Sequence, residues 1–117
     1  MQIRITTDRN VEGGNDLTRQ VEAEVRDGLS RFSGRLTRVE VHLGDENAGK
    51  SGAADKRCVL EARPNGQPPV AVTNHASTID VACRGAIEKL DRLLVKRFGR
   101  LGDRKAGAST RRPAPEG

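Results

Sequence analysis

Aromatic residues are almost missing from this chain. Its 117 residues include two phenylalanines, Phe32 and Phe98, and no tyrosine or tryptophan. Domains that read single-stranded RNA by stacking its bases need exposed rings. A nucleic acid bound here must therefore be held by charge and shape. Long apolar runs are missing too, and none approaches the roughly 20 residues needed to span a bilayer. The opening MQIRITTDRN lacks the apolar middle of a signal peptide. A cytoplasmic protein without a membrane partner is expected.

Chemistry-bearing residues are equally sparse. Cys58 and Cys83 lie in apolar patterns rather than at metal spacing, as reduced core thiols do. Neither His42 nor His75 has a Cys or His at ligand spacing. Ser51, Ser77 and Thr73 have no nucleophile elbow around them. Gly44 to Ser51 fits the spacing G-x-x-x-x-G-K-S. A phosphate loop, however, is a turn from a strand into a long helix. Here GAAD and another strand follow, and two acids inside the loop would repel phosphate. No enzyme, metal, cofactor or small-molecule substrate is expected.

What the chain has is charge, unevenly placed. Residues 1–83 carry 11 basic and 12 acidic side chains, and residues 84–117 carry 10 and 4. The whole surplus of +5 therefore belongs to the last third. Such asymmetry points to a polyanion, usually nucleic acid. A purely solubilising excess is the competing explanation.

The hydrophobic pattern predicts the order β-α-β-β-β-α. QIRIT alternates, with Ile3 and Ile5 on one face. From an N-cap at Asn15 or Asp16, Leu17, Val21, Val25, Leu29 and Phe32 form one helical stripe that Gly34 should end. TRVEVHL alternates again. A long loop is expected over 44–55, then a strand KRCVLEAR, an Asn65-Gly66 hairpin turn and a short strand PVAVT. A last helix should start near Ser77 or Thr78, with Ile79, Cys83, Ile87, Leu90, Leu94, Phe98 and Leu101 as its apolar stripe. Each strand has one apolar face, so both helices must cover the same side. The expected fold is α+β, a two-layer sandwich of a four-stranded mixed sheet with two helices on one face. It should span 1–101, followed by a disordered basic tail over 102–117. The opposite sheet face, with Arg4, Arg38, His42, Arg57 and Arg63 beside Glu40 and Glu61, is left to water or a partner.

The last helix concentrates the charge. At about 100° per residue with Leu90 at zero, Ile87, Leu94, Phe98 and Leu101 fall between about 20° and 80°. Lys89, Arg92, Lys96 and Arg100 fall between about 200° and 280° on the same scale, opposite the core. Glu88 and Asp91 lie off that stripe. Arg97 lies inside the apolar arc, as if the helix there runs past the core and projects free. Cations also suit a helix C-terminus, by about 0.3–1 kcal/mol each, which accounts for Arg97 and Arg100 better than for Lys89. The stripe reads as a phosphate-binding surface with strongly salt-dependent affinity. The tail residues Arg104, Lys105, Arg111 and Arg112 could tether to RNA or simply be solvated.

With this order and the terminal EKLDRLLVKR, the chain resembles the ribosome hibernation promoting factors, also called the sigma-54 modulation or S30EA family. The resemblance covers about residues 1–101. Its most specific motif is Glu88-Lys89-Leu90-Asp91-Arg92, similar to the family's Asp-Lys-Leu-Glu-Arg, with Lys96 and Arg97 after it. The resemblance implies binding to small-subunit rRNA in the tRNA and mRNA channel, silencing idle ribosomes in stress or stationary phase. The expected rRNA-binding set is Lys89, Arg92, Lys96, Arg97 and Arg100, with Arg19, Arg26 and Arg57. In place of the family's Asp-x-Tyr-x-Ala-Ile-Asp run stands TIDVACRGAI, without the tyrosine. Long members carry a further domain that pairs ribosomes; this chain is expected not to pair them by that route and to be a monomer or weak dimer. A general RNA chaperone, or a structural protein that self-associates through the sheet, is the rival reading.

Overall fold

The computed structural model describes residues 1–8, 11, 14–46 and 55–106, with 100–106 traced by their backbone alone. The elements run β1 (Gln2–Thr7), α1 (Gly14–Gly28), a 3-10 turn (Ser30–Phe32), β2 (Leu36–Asp45), β3 (Lys56–Pro64), β4 (Val70–Ala76) and α2 (Ile79–Ala106). The sheet order is β1-β2-β3-β4. β1 lies parallel to β2, with Gln2 opposite Arg38 and Thr7 opposite Leu43. The other two pairs are antiparallel. This is the α+β arrangement that the alternating strands and amphipathic helices predict.

The core lies between the sheet and the two helices. Val39, Val41 and Leu43 of β2 and Cys58, Leu60 and Ala62 of β3 are buried. They meet Val21 and Val25 of α1 and Cys83, Ile87, Leu90, Leu94 and Phe98 of α2. Full burial of a side chain such as Leu60, Leu90 or Leu94 stabilises the fold by about 1.5–3 kcal/mol. α2 packs mainly on β3 and β4, and α1 on β1 and α2. The small residues Ala82 and Ala86, both fully buried, let α2 approach the sheet closely.

Several boundaries differ from the sequence pattern. α1 starts at Gly14, so Asn15 and Asp16 lie in its first turn rather than at the N-cap. It ends at Gly28, not Gly34. The 3-10 turn then carries Phe32 into the core, 5.6 Å from the Phe98 ring centroid. The stripe Leu17 to Phe32 is thus shared by two kinds of helix. β4 continues to Ala76, so Asn74 and His75 lie in a strand rather than after it. Asn74 is half-buried and donates from Nδ2 to the Ala82 carbonyl at 3.1 Å. The expected 44–55 loop is shorter at both ends: β2 includes Asp45, and Glu46 N–H donates to Asp55 O at 2.9 Å. Residues 47–54 of that loop lie outside the described residues. The segment joins two antiparallel strands, so the phosphate-loop spacing lacks its helix. α2 continues through Gly102 to Ala106, past the boundary expected at 101. Residues 107–117 of the expected tail lie outside the described residues.

Turn chemistry follows the sequence. Gly66 has φ +72°, and Gln67 N–H donates to Pro64 O at 3.3 Å. Thr78 caps α2, its Oγ1 accepting from Val81 N–H at 3.2 Å.

Candidate nucleic-acid interface

α2 leaves β4 and runs back along it, so its second half reaches the end of the sheet where β4 begins. Lys89 Nζ donates to the Thr73 carbonyl at 2.9 Å, on the exposed edge of β4. Arg97 Nη1 donates to the Pro68 carbonyl at 3.3 Å, at the β3–β4 turn. Arg97 therefore does not project free. It is half-buried because the turn comes up to meet the helix. A carbonyl partner positions each cation without cancelling its charge.

Arg92 is 74% exposed and lies 3.8 Å from Glu88, one helical turn back. An exposed pair at that distance is loose and worth little, but the stripe is not as free of acids as the wheel implies. Lys96 is exposed with no ion-pair partner among the described residues. The Arg100 side chain lies outside them.

The other expected residues are placed elsewhere. On α1, Arg26 pairs with Glu22 at 3.1 Å and reaches Met1 O at 3.4 Å, toward the β1 edge. Arg19 is exposed on α1. Arg57 points to the uncovered face of the sheet and pairs with Glu46 at 2.8 Å. The seven side chains that are described thus do not form one cluster. Lys89, Arg92, Lys96 and Arg97 share a surface along β4; Arg26 lies on α1 toward the opposite, β1 edge; Arg19 is also on α1, and Arg57 is on the uncovered face of the sheet.

The structure adds cations that the helical wheel cannot reveal. Arg35, at the entry to β2, lays its guanidinium over the Phe98 ring at 5.0 Å. It therefore flanks α2 on the side away from Arg97. Arg31 lies over Phe32 at 5.1 Å, and its Nη2 donates to both carboxylate oxygens of Asp91, at 2.9 and 2.8 Å. This pairing neutralises Asp91, which directly precedes Arg92 on the helix. The sequence offered one signal, since both arginines lie within three residues of Phe32, an expected core residue, but only the fold brings Phe32 against Phe98 of α2.

The pairing between the helices is also electrostatic. Glu24 of α1 faces Asp80 and Arg84 of α2. Burial pushes the Glu24 carboxyl above its ordinary value; a hydrogen bond from Gln20 opposes this, and the neighbouring Asp80 adds to the rise. Arg84 hydrogen-bonds Asp80 and holds that carboxyl below its ordinary value. Among the described residues, no group of three or more His, Cys, Asp or Glu is placed to hold a metal ion. No described helix is long and apolar enough to cross a membrane.

Known structures share this fold. The N-terminal domain of Protein Y from Thermus thermophilus superposes with a TM-score of 0.63 at 22% identity, covering 84% of this chain and 99% of that one. A ribosomal subunit interface protein from Coxiella burnetii gives 0.66 at 14% identity, over 85% of this chain and 99% of the other. No curated protein sequence matches the chain. Residues 3–101 match the family described as sigma 54 modulation protein / S30EA ribosomal protein, and the chain belongs to that family.

Proposed function

We propose that this protein is a non-catalytic, cytoplasmic ribosome-associated factor that binds small-subunit rRNA in the tRNA and mRNA channel. In that position it inhibits translation during stress or stationary phase. The observation that carries the reading is the surface of α2 on a domain of this family. Lys89 and Arg97 are held in place by backbone carbonyls, and Arg92 and Lys96 stand exposed between them. Anchored cations lose little conformational freedom on meeting phosphate, and each neutralised phosphate releases counterion. The scarcity of aromatic rings fits a backbone-directed contact, and both phenylalanines are buried in the core. A related solved structure is named a ribosomal subunit interface protein.

The test is sedimentation with ribosomal subunits across salt. Co-migration with the small subunit at low salt, lost at high salt, is expected. The double variant Lys89→Glu, Arg92→Glu should lose co-migration at low salt while keeping its fold by circular dichroism. Unchanged co-migration of that folded variant would overturn the reading. Equal binding to any RNA, with no preference for the subunit, would favour a general RNA chaperone instead.

A further inference from the structure

Among the stretches of the chain without Asp or Glu are three, 28–39, 62–79 and 92–102. They are distant in sequence, and the fold brings parts of all three to one end of the molecule. Asn65 ties the first two together. Its N–H donates to Arg35 O at 2.9 Å, its Nδ2 to Gly34 O at 3.2 Å, and its Oδ1 accepts from Thr37 Oγ1 at 2.6 Å. Arg97 on Pro68 and Arg35 over Phe98 tie in the third.

At this end the cations outnumber their partners. Arg31 is spent on Asp91, and Arg38 on Glu40 at 3.2 Å. Arg35, Arg63, Lys96 and Arg97 have no acidic partner among the described residues. Arg63 is exposed on the uncovered sheet face, and Arg35 and Arg97 flank α2 on its two sides. The positive rim thus continues from the helical layer around the end of the sheet. The far end of the sheet is the reverse. Asp8, Asp45, Glu46 and Asp55 gather there around Lys56 and Arg57.

We propose that the end bearing the β3–β4 turn is a basic pole that enters between RNA strands, with Arg35 and Arg63 as phosphate contacts on two different sides, and that the acidic end points away from the RNA. This rests on the ribosomal reading above and gives it an orientation. The occupant is an RNA sugar–phosphate backbone, chosen by charge complementarity. Phosphate needs cations without competing carboxylates, and the three acid-free stretches supply them. A folded α2 stripe alone would bind from one side.

The experiment compares two charge-matched double variants for binding to isolated small ribosomal subunits across salt. Arg35→Gln with Arg63→Gln removes two charges at the basic pole. Asn15→Glu with Ser77→Glu changes net charge equally at the opposite end, where both residues are exposed. The pole variant should bind on the order of tenfold or more weakly, and its slope of log affinity on log salt should fall by about 0.9 per lost phosphate contact. The opposite-end variant should bind within about twofold of the unmodified chain, as a change far from the contact does when screened by salt. Arg63→Gln alone, at an exposed site without an ion pair, repeats the test if the double variant unfolds. If the pole variants bind as tightly as the unmodified chain while Lys89→Glu, Arg92→Glu does not, the pole is wrong and the ribosomal reading stands. If the unmodified chain itself fails to bind at low salt, the ribosomal reading falls, and the pole with it.

Discussion

Gly28 meets Ile87 where α1 crosses α2. A Cβ added at Gly28 would stand 2.5 Å from Ile87 Cγ2, closer than real carbon atoms approach. Ile87 is β-branched and in a helix, so its χ1 has little room to turn away. A glycine that propensity alone marks as a weak point is therefore where the two helices fit together.

Gly28→Ala should consequently destabilise the protein, although Ala is favoured over Gly in helices by about 1 kcal/mol. Overpacking costs about 1–3 kcal/mol, so a net loss of about 1 kcal/mol is expected from urea unfolding. Adding Ile87→Ala should relieve the clash and make the two changes non-additive. A stabilised Gly28→Ala protein would show that the helices can move apart freely.

Lys96→Ala isolates one phosphate contact. The side chain is exposed and unpaired among the described residues, so stability should change by less than about 0.5 kcal/mol. The salt slope of small-subunit binding should fall by about 0.9. An unaltered slope would remove Lys96 from the interface.

Glu24 gives a pH dependence with a definite sign. Its carboxyl is raised in the folded state, so the folded protein holds that proton more tightly than the unfolded chain. The contribution is fully present below the ordinary carboxylate value and is lost as pH rises through the raised folded value. Asp80 acts oppositely, since its depressed value makes its link to Arg84 fail as pH falls. Glu24→Gln should therefore stabilise at neutral pH by on the order of 0.5 kcal/mol, the size of a partly exposed charge interaction. The gain should vanish in acid, where Glu24 is protonated. Equal gains in thermal unfolding at both pH values would point to packing instead.

Cys58 and Cys83 should be silent in the native state. Both are fully buried, and the hydrogen bond of the Cys58 thiol to Cys83, together with burial, pushes that thiol far above its ordinary value. The thiolate is the reactive form. Labelling by a thiol reagent should then proceed no faster than unfolding. Rapid modification of folded protein would contradict the packing of β3 against α2.

Much of the fold is legible in the residues. Alternation in RVEVHL and KRCVLEAR fixes which side chains enter the core, because the strand period of two admits one buried face. The stripe from Ile79 to Phe98 does the same for α2, with Ile79 half-buried and Phe98 buried. Asn65-Gly66 marks its turn because glycine accepts positive φ at no steric cost. Boundaries are less legible. β4 runs on through Asn74, whose half-buried amide finds the Ala82 carbonyl, a partner eight residues away that no local propensity encodes.

The candidate site divides along the same line. Residue order and helical period alone set the basic excess of the last third and the side of α2 that carries Lys89, Arg92 and Lys96. The tertiary structure alone decided what surrounds those charges. It set Arg97 on Pro68, laid Arg35 over Phe98, spent Arg31 on Asp91, and gathered three acid-free stretches at one end. The difference is one of range. A helical wheel reports neighbours within a turn or two, whereas the field that a phosphate meets is the sum over every charge within about a Debye length, roughly 8–10 Å, whichever strand it comes from.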